Sequence, residues 1–226
     1  MKREIIRTAD GSATIYLPEW NEHYHSKHGA LQEARHVFIE SGLRHYLEKK
    51  SPERLNVLEI GFGTGLNALI SYYEAGKADL ILDYTGVEAY PVSPEELESL
   101  EYANLFAEED AAKVFEKMHG ISWGKKSEIS PLFYLQKEQM FFKDIKAEDL
   151  FDLIFFDAFG PRVQPDLWTE EIFLKMYRSL RQDGVLVTYS AKGSVRRAMQ
   201  AVGFLVERLP GPPGKREMLR ATKRAN

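Results

Sequence analysis

Apolar positions in the chain fall into short runs that are closed by glycines or followed by stretches with helical spacing. Leu55-Asn-Val-Leu-Glu-Ile60 is one such run, and Leu66 to Ala75 after it has the apolar spacing of a helix. Leu80 to Val87, Pro131 to Leu135, Phe151 to Phe156 and Gly184 to Tyr189 predict four more strands. Phe151 to Phe156 is almost continuously apolar, as expected of a strand covered on both faces. Helices are predicted over Thr169 to Leu180 and Ser194 to Val202. A further acidic, helix-prone stretch runs from Pro94 to about Lys117, opened by Ser93-Pro94-Glu95-Glu96. There a serine N-cap, a proline at the first position and acids in the first turn all favour a helix start. Phe204 to Arg208 and Glu217 to Ala221, on either side of Pro210-Gly-Pro-Pro-Gly214, predict a terminal hairpin. Strand and helix alternate without an internal repeat, which implies a doubly wound α/β sheet with right-handed crossovers.

Composition narrows the class. The chain has 226 residues, 44% hydrophobic and 28% charged, with no cysteine. Collagenous, coiled-coil and disordered architectures are excluded, and so are disulfides and thiolate zinc sites. The N-terminus lacks an apolar leader core, and no run approaches the roughly 20 apolar residues of a membrane helix, so a cytoplasmic protein is expected. The net charge of −4 is unevenly spread: residues 191–226 hold nine basic and two acidic side chains, a net +7 against −11 elsewhere. A polyanion would meet a basic C-terminal face on an acidic body.

Candidate chemistry gathers at the predicted strand ends. Glu59-Ile-Gly61-Phe62-Gly63-Thr64-Gly65 lies between the first sheet strand and a helix, where glycines let the backbone turn tightly and approach a ligand. It is neither G-x-G-x-x-G nor a phosphate loop, which needs a Lys-Ser/Thr pair. The acid-x-Gly-x-Gly-x-Gly pattern is similar to the first motif of class I S-adenosylmethionine-dependent methyltransferases and suits a ligand with no phosphate to cradle. Glu88 ends the next strand, where a carboxylate can accept hydrogen bonds from ribose hydroxyls. Glu138 follows the Phe133-Tyr-Leu strand, where the methyltransferase pattern often has an acid that reaches the adenine amino group. Asp157 ends the most hydrophobic strand and opens Asp157-Ala-Phe-Gly-Pro161, so its carboxylate is the catalytic candidate: it would hold an acceptor amine and take its proton.

Five ordered motifs carry a more specific resemblance. They are His23-Tyr-His25-Ser-Lys-His28-Gly-Ala-Leu-Gln-Glu33-Ala-Arg35-His-Val-Phe38, Gly-Phe-Gly-Thr-Gly, Asp157-Ala-Phe-Gly-Pro, Pro165-Asp-Leu-Trp168 and Gly214-Lys-Arg-Glu-Met218. Together, from about Tyr24 to Ala221, they resemble the MnmC-like methyltransferases, the methyltransferase domain of a bifunctional tRNA 5-methylaminomethyl-2-thiouridine biosynthesis protein. The resemblance implies a class I Rossmann-like fold with a mostly parallel seven-stranded sheet and a C-terminal antiparallel hairpin. It implies S-adenosylmethionine as methyl donor and the aminomethyl group of a tRNA wobble uridine as acceptor. No flavin-dependent half follows Asn226, so the expectation is a stand-alone enzyme acting on a ready-made aminomethyl group that a separate enzyme installs.

A single domain over 1–226 is expected, with an N-terminal extension or lid over 1–50 and a helical acidic insertion over 93–128. The Tyr24 to Phe38 motif would wall the cofactor, with Glu33 and Arg35 at its methionine end. Trp168 is a candidate to stack on the uracil, and Lys215 and Arg216 to contact phosphates. His23, His25 and His28 lack the carboxylate spacing of a metal site, so none is expected. Two other readings remain: an aminopropyltransferase or other small-amine transferase, and a non-catalytic nucleotide-binding RNA adaptor.

Overall fold

The computed structural model describes residues 2–9, 11–24 and 29–224. Its main sheet has eight strands. In chain order these are β4 (Arg54–Ile60), β5 (Ile81–Glu88), β6 (Ser127–Ser130), β7 (Phe133–Gln139), β8 (Phe151–Phe156), β9 (Leu180–Thr188), β10 (Phe204–Pro210) and β11 (Glu217–Lys223). The spatial order is β10-β11-β9-β8-β4-β5-β7-β6, with β9, β8, β4, β5 and β7 parallel. The expected seven strands are therefore present with an eighth, β6, antiparallel on the β7 edge. Ser-Glu-Ile-Ser is too short and too polar to stand out as a strand in sequence. A separate antiparallel sheet, β1 (Glu4–Arg7), β2 (Ala13–Leu17) and β3 (Glu22–His23), precedes the rest.

Both faces of the main sheet are covered, which is why β8 is buried at every position. One face packs Val57, Tyr84, Leu153, Phe155 and Val187 with Val37, Phe38 and Leu43. These last three come from a continuous helical segment, α1 (Ala30–Ala34), π-helical turns over Arg35–Arg44 and α2 (His45–Lys50). Leu66 and Leu69 of α3 (Leu66–Ala78) lie on the same face. The other face packs Leu58, Ile60, Ile154, Phe156 and Leu186 against α6 (Glu170–Ser179) and α7 (Gly193–Ala201).

The acidic stretch is α4 (Pro94–Leu100), a 3-10 turn over Tyr102–Leu105 and α5 (Ala111–Gly120). The predicted start of α4 is a full capping box. The Ser93 hydroxyl accepts from the Glu96 amide at 3.3 Å, and Glu96 Oε2 accepts from the Ser93 amide at 2.9 Å. Arg3 donates to the same Glu96 oxygen at 2.9 Å and to the Tyr90 carbonyl at 3.0 Å, tying the small N-terminal sheet to the start of α4.

Candidate active site

From β4 the chain runs outward through β5 to β7, and β8 then returns to the opposite side of β4. In an open α/β sheet, a crevice forms outside the carboxyl ends of the strands at such a reversal. Here it has a volume of about 480 Å³ and is lined by Glu59, the Gly61 to Thr64 turn, Asn67, Glu88 and Asp157.

Strand alternation explains why these acids meet. Glu59 has the parity of Val57, Glu88 that of Tyr84, and Asp157 that of Phe155, so all three belong to the face covered by α3. One side chain of α3 joins two of them: Asn67 Nδ2 donates to Glu59 Oε1 at 2.8 Å and to Asp157 Oδ2 at 3.0 Å. Burial, then the Asp157 charge, pushes the Glu59 carboxyl well above the usual range. Burial, then the Glu33 charge, pushes Asp157 up to about 7. A buried and a half-buried carboxyl sharing one amide cannot both ionise cheaply. Glu59, only 1% exposed, keeps the proton, and Asp157 titrates near neutrality.

The backbone at Gly61 and Gly63 needs glycine. Gly61 has φ +87°, and a Cβ there would sit 2.7 Å from the Asp157 carbonyl oxygen. Gly63 has φ +50°, and its Cβ would meet the Tyr24 ring at 3.3 Å. The Gly63 amide donates to Glu88 Oε2 at 3.1 Å and the Tyr90 amide to Glu88 Oε1 at 2.9 Å, which fixes both carboxylate oxygens at the crevice wall. Thr64 is buried and lines the crevice, whereas Gly65 sits behind it at the N-cap of α3.

Several candidates fall elsewhere. Glu138 lies inside β7, paired in register with Val87, whose side chain packs on the opposite face from Glu59 and Glu88. Its Oε1 accepts from Gln136 at 2.5 Å, and the crevice beyond β7 is lined instead by Phe141, Phe142 and Lys143. Glu33 is buried in an ion pair with Lys215 just behind the crevice wall, close enough for its charge to act on Asp157 but not itself lining the crevice, and Arg35 is exposed.

Lys215 therefore turns inward: its ammonium also lies 3.8 Å from the Tyr189 ring centroid, while Arg216 is exposed. Arg208 and Arg220 pair with Glu217 and Glu207, the two acids already counted in the segment's net +7, while Lys215 and Lys223 pair with Glu33 and Asp149 outside it. Trp168 is 5% exposed, packs edge-on against Phe156 at 5.0 Å and donates Nε1 to the Phe159 carbonyl at 2.7 Å. No face of it is open to a base. Trp168→Ala should cost about 3–5 kcal/mol of stability, as large aromatic deletions in cores do, with chemical denaturation as the measure.

His25 and His28 lie outside the described residues, and among those described no group of three His, Asp or Glu is placed to hold a metal ion. No helix among them is long and apolar enough to cross a membrane.

Sequence reading missed Asn67, Tyr189 and the rings of Trp20 and Phe159, which stand in the crevice wall with Tyr24, the first residue of the motif read as a wall. The Trp20 and Tyr24 rings meet Phe159 edge-on at 5.7 and 5.0 Å. Asn67 had a signal, a lone polar residue in the first turn of an apolar helix. Tyr189 sits just past β9 and donates its hydroxyl to the Ala158 carbonyl at 2.8 Å, so its signal was its place after a central strand.

This fold is that of the class I S-adenosylmethionine-dependent methyltransferases. Residues 135–224 match the family described as S-adenosyl-L-methionine-dependent methyltransferase. Within that class the sequence is MnmC-like. The chain is 32% identical over 212 residues to the tRNA 5-methylaminomethyl-2-thiouridine biosynthesis bifunctional protein MnmC of Aromatoleum aromaticum, covering 89% of this chain and 32% of that protein. It is 33% identical over 221 residues to the protein of that name from Azoarcus sp., covering 92% and 34%. The chain thus spans about a third of the length of these relatives. In fold it resembles MNMC2 from Aquifex aeolicus, with a TM-score of 0.77, 24% identity and coverage of 100% and 72% of the two chains. It also resembles spermidine synthase from Thermotoga maritima, with a TM-score of 0.59, 16% identity and coverage of 99% and 69%.

Proposed function

We propose that this chain transfers a methyl group from S-adenosylmethionine to the nitrogen of a 5-aminomethyl group on the wobble uridine of tRNA. The observation that carries the reading is Asp157: a half-buried carboxyl at the sheet's reversal point, joined through Asn67 to Glu59 and pushed up to about 7. The names of the relatives, which act in 5-methylaminomethyl-2-thiouridine biosynthesis, supply the acceptor.

The site fits the cofactor. Glu59 Oε2 is buried without a hydrogen-bond partner, the Tyr84 hydroxyl beside it falling outside bonding geometry, and the ammonium of an amino-acid ligand placed there would displace the Glu59 proton and pair with the carboxylate. The turn from Gly61 to Gly65 leaves room where a Cβ would intrude, and both Glu88 oxygens keep lone pairs for ribose hydroxyls. The bound cofactor supplies a methyl group already activated by its sulfonium. The protein must then present a neutral amine in line and take up its proton.

Asp157 is matched to both tasks. A carboxylate with a pKa near 7 hydrogen-bonds the incoming amine, orients its lone pair and accepts the proton that methylation releases. Trp20, Tyr24 and Phe159 form an aromatic wall of the same crevice, suited to a flat unstacked base, in the part first assigned to Trp168. A wobble base lies in a single-stranded loop and is cheap to unstack.

The test is methyl transfer from labelled cofactor to tRNA carrying 5-aminomethyluridine, read by mass spectrometry of nucleosides, with a small diamine as a parallel acceptor. The wobble nucleoside should gain one methyl group and the diamine should remain unmodified. Transfer to the diamine alone would overturn the reading.

A further inference from the structure

We propose that His119, in the last turn of α5, is a positioning residue that holds the Gly61–Gly65 loop in its cofactor-ready shape. The inference rests on that loop being the cofactor cradle, and it gives a task to the segment over 93–128, whose sequence reads as an acidic insertion. His119 Nε2 lies 3.2 Å from the Thr64 carbonyl oxygen. A carbonyl only accepts, so Nε2 carries the proton and the ring is the donor. The same nitrogen would be 2.9 Å from a Cβ on Gly65, which places the imidazole directly against the backbone that opens α3.

The contact is held from several sides. The Phe115 ring lies 4.5 Å edge-on from the imidazole. Phe62 of the loop packs between Gly86 of β5, where a Cβ would meet its ring at 2.2 Å, and His119 and Trp123, at centroid distances of 5.9 and 6.3 Å. The end of α5 is itself fixed to the sheet. Lys137 of β7, 1% exposed, donates its ammonium to the His119 carbonyl at 2.7 Å, capping the helix end with a cation, and lies 5.1 Å from the Trp123 ring centroid. One path of contacts thus runs from β7 through α5 to the Thr64-Gly65 peptide. Burial, then the Lys137 charge, lowers the His119 pKa to about 4, so the imidazole stays neutral and keeps this donor throughout the working pH range.

His119→Phe keeps a ring but removes the donor, and His119→Gln keeps a donor. Calorimetry with S-adenosylhomocysteine should show a roughly tenfold weaker Kd for His119→Phe, because a buried carbonyl loses its partner, and substantial recovery in His119→Gln. Amide exchange of residues 61–65 without ligand should accelerate in His119→Phe and recover in His119→Gln. Turnover at saturating cofactor should stay near wild type, with the loss confined to KM for the cofactor. Wild-type loop exchange in His119→Phe would overturn the proposal, as would accelerated exchange with unchanged Kd. If the wild-type chain binds no S-adenosylhomocysteine, the assignment of the cradle falls and the exchange measurement alone decides whether His119 buttresses the loop.

Discussion

Asp157→Asn should lower methyl-transfer turnover by roughly two or more orders of magnitude while leaving cofactor affinity nearly unchanged. The substitution preserves size and can still meet Asn67, but it removes the charge that orients an amine and the lone pair that takes its proton. Single-turnover transfer separates this loss from binding, and near wild-type turnover would remove Asp157 from the mechanism. The wild-type rate should fall as pH drops below about 7, because burial and the Glu33 charge hold the Asp157 carboxyl up there and its protonated form cannot accept a proton. The variant should lack that contribution to the pH profile.

Stability should move the other way. A carboxyl raised from 3.8 to about 7 on folding binds its proton more tightly in the native state, so its contribution is lost as pH rises through about 7. Asp157→Asn should therefore unfold at pH 8 no more easily than the wild type. A marked drop in melting temperature would indicate a purely structural aspartate.

Gly63→Val should abolish measurable cofactor binding in a chain that still folds. At φ +50° a β-branched residue is strained, and its side chain would occupy the gap between the turn and the Tyr24 ring while disturbing the amide that holds Glu88. Gly61→Val is the instructive contrast. Its Cβ would strike the Asp157 backbone, where the Asp157 amide donates to the Ile60 carbonyl at 2.9 Å, so it should damage the join of β4 and β8 and the fold with it. Calorimetry with circular dichroism distinguishes the two. Unchanged affinity in folded Gly63→Val would exclude this turn as the cradle.

The central strands, the capping box at Ser93 and the terminal hairpin were legible in sequence because each depends on neighbours a few residues apart. So were Glu59, Gly61, Gly63, Glu88 and Asp157, since strand ends and glycine turns mark the mouth of an α/β sheet whatever packs around it. The edge strand β6 escaped because four mixed residues carry too little alternation. Glu138 was misplaced because a strand running four residues further than expected enclosed it. Its side was then decided by pairing with Val87.

Side-chain direction and long-range partners were not legible. Whether Trp168 faces a ligand or the core depends on Phe156 and Phe159, which meet it only after α6 docks on β8. Lys215 looks like a surface cation in its Pro/Gly-rich turn, yet its partner Glu33 lies 182 residues earlier. His119 and Asn67 gain their parts in the same way, from atoms brought beside them by the fold. Local composition therefore determined the strands, the turns and the acids at their ends. Tertiary packing decided which polar groups share a buried, weakly screened space, and that sets which carboxyl keeps its proton and which is free to take one.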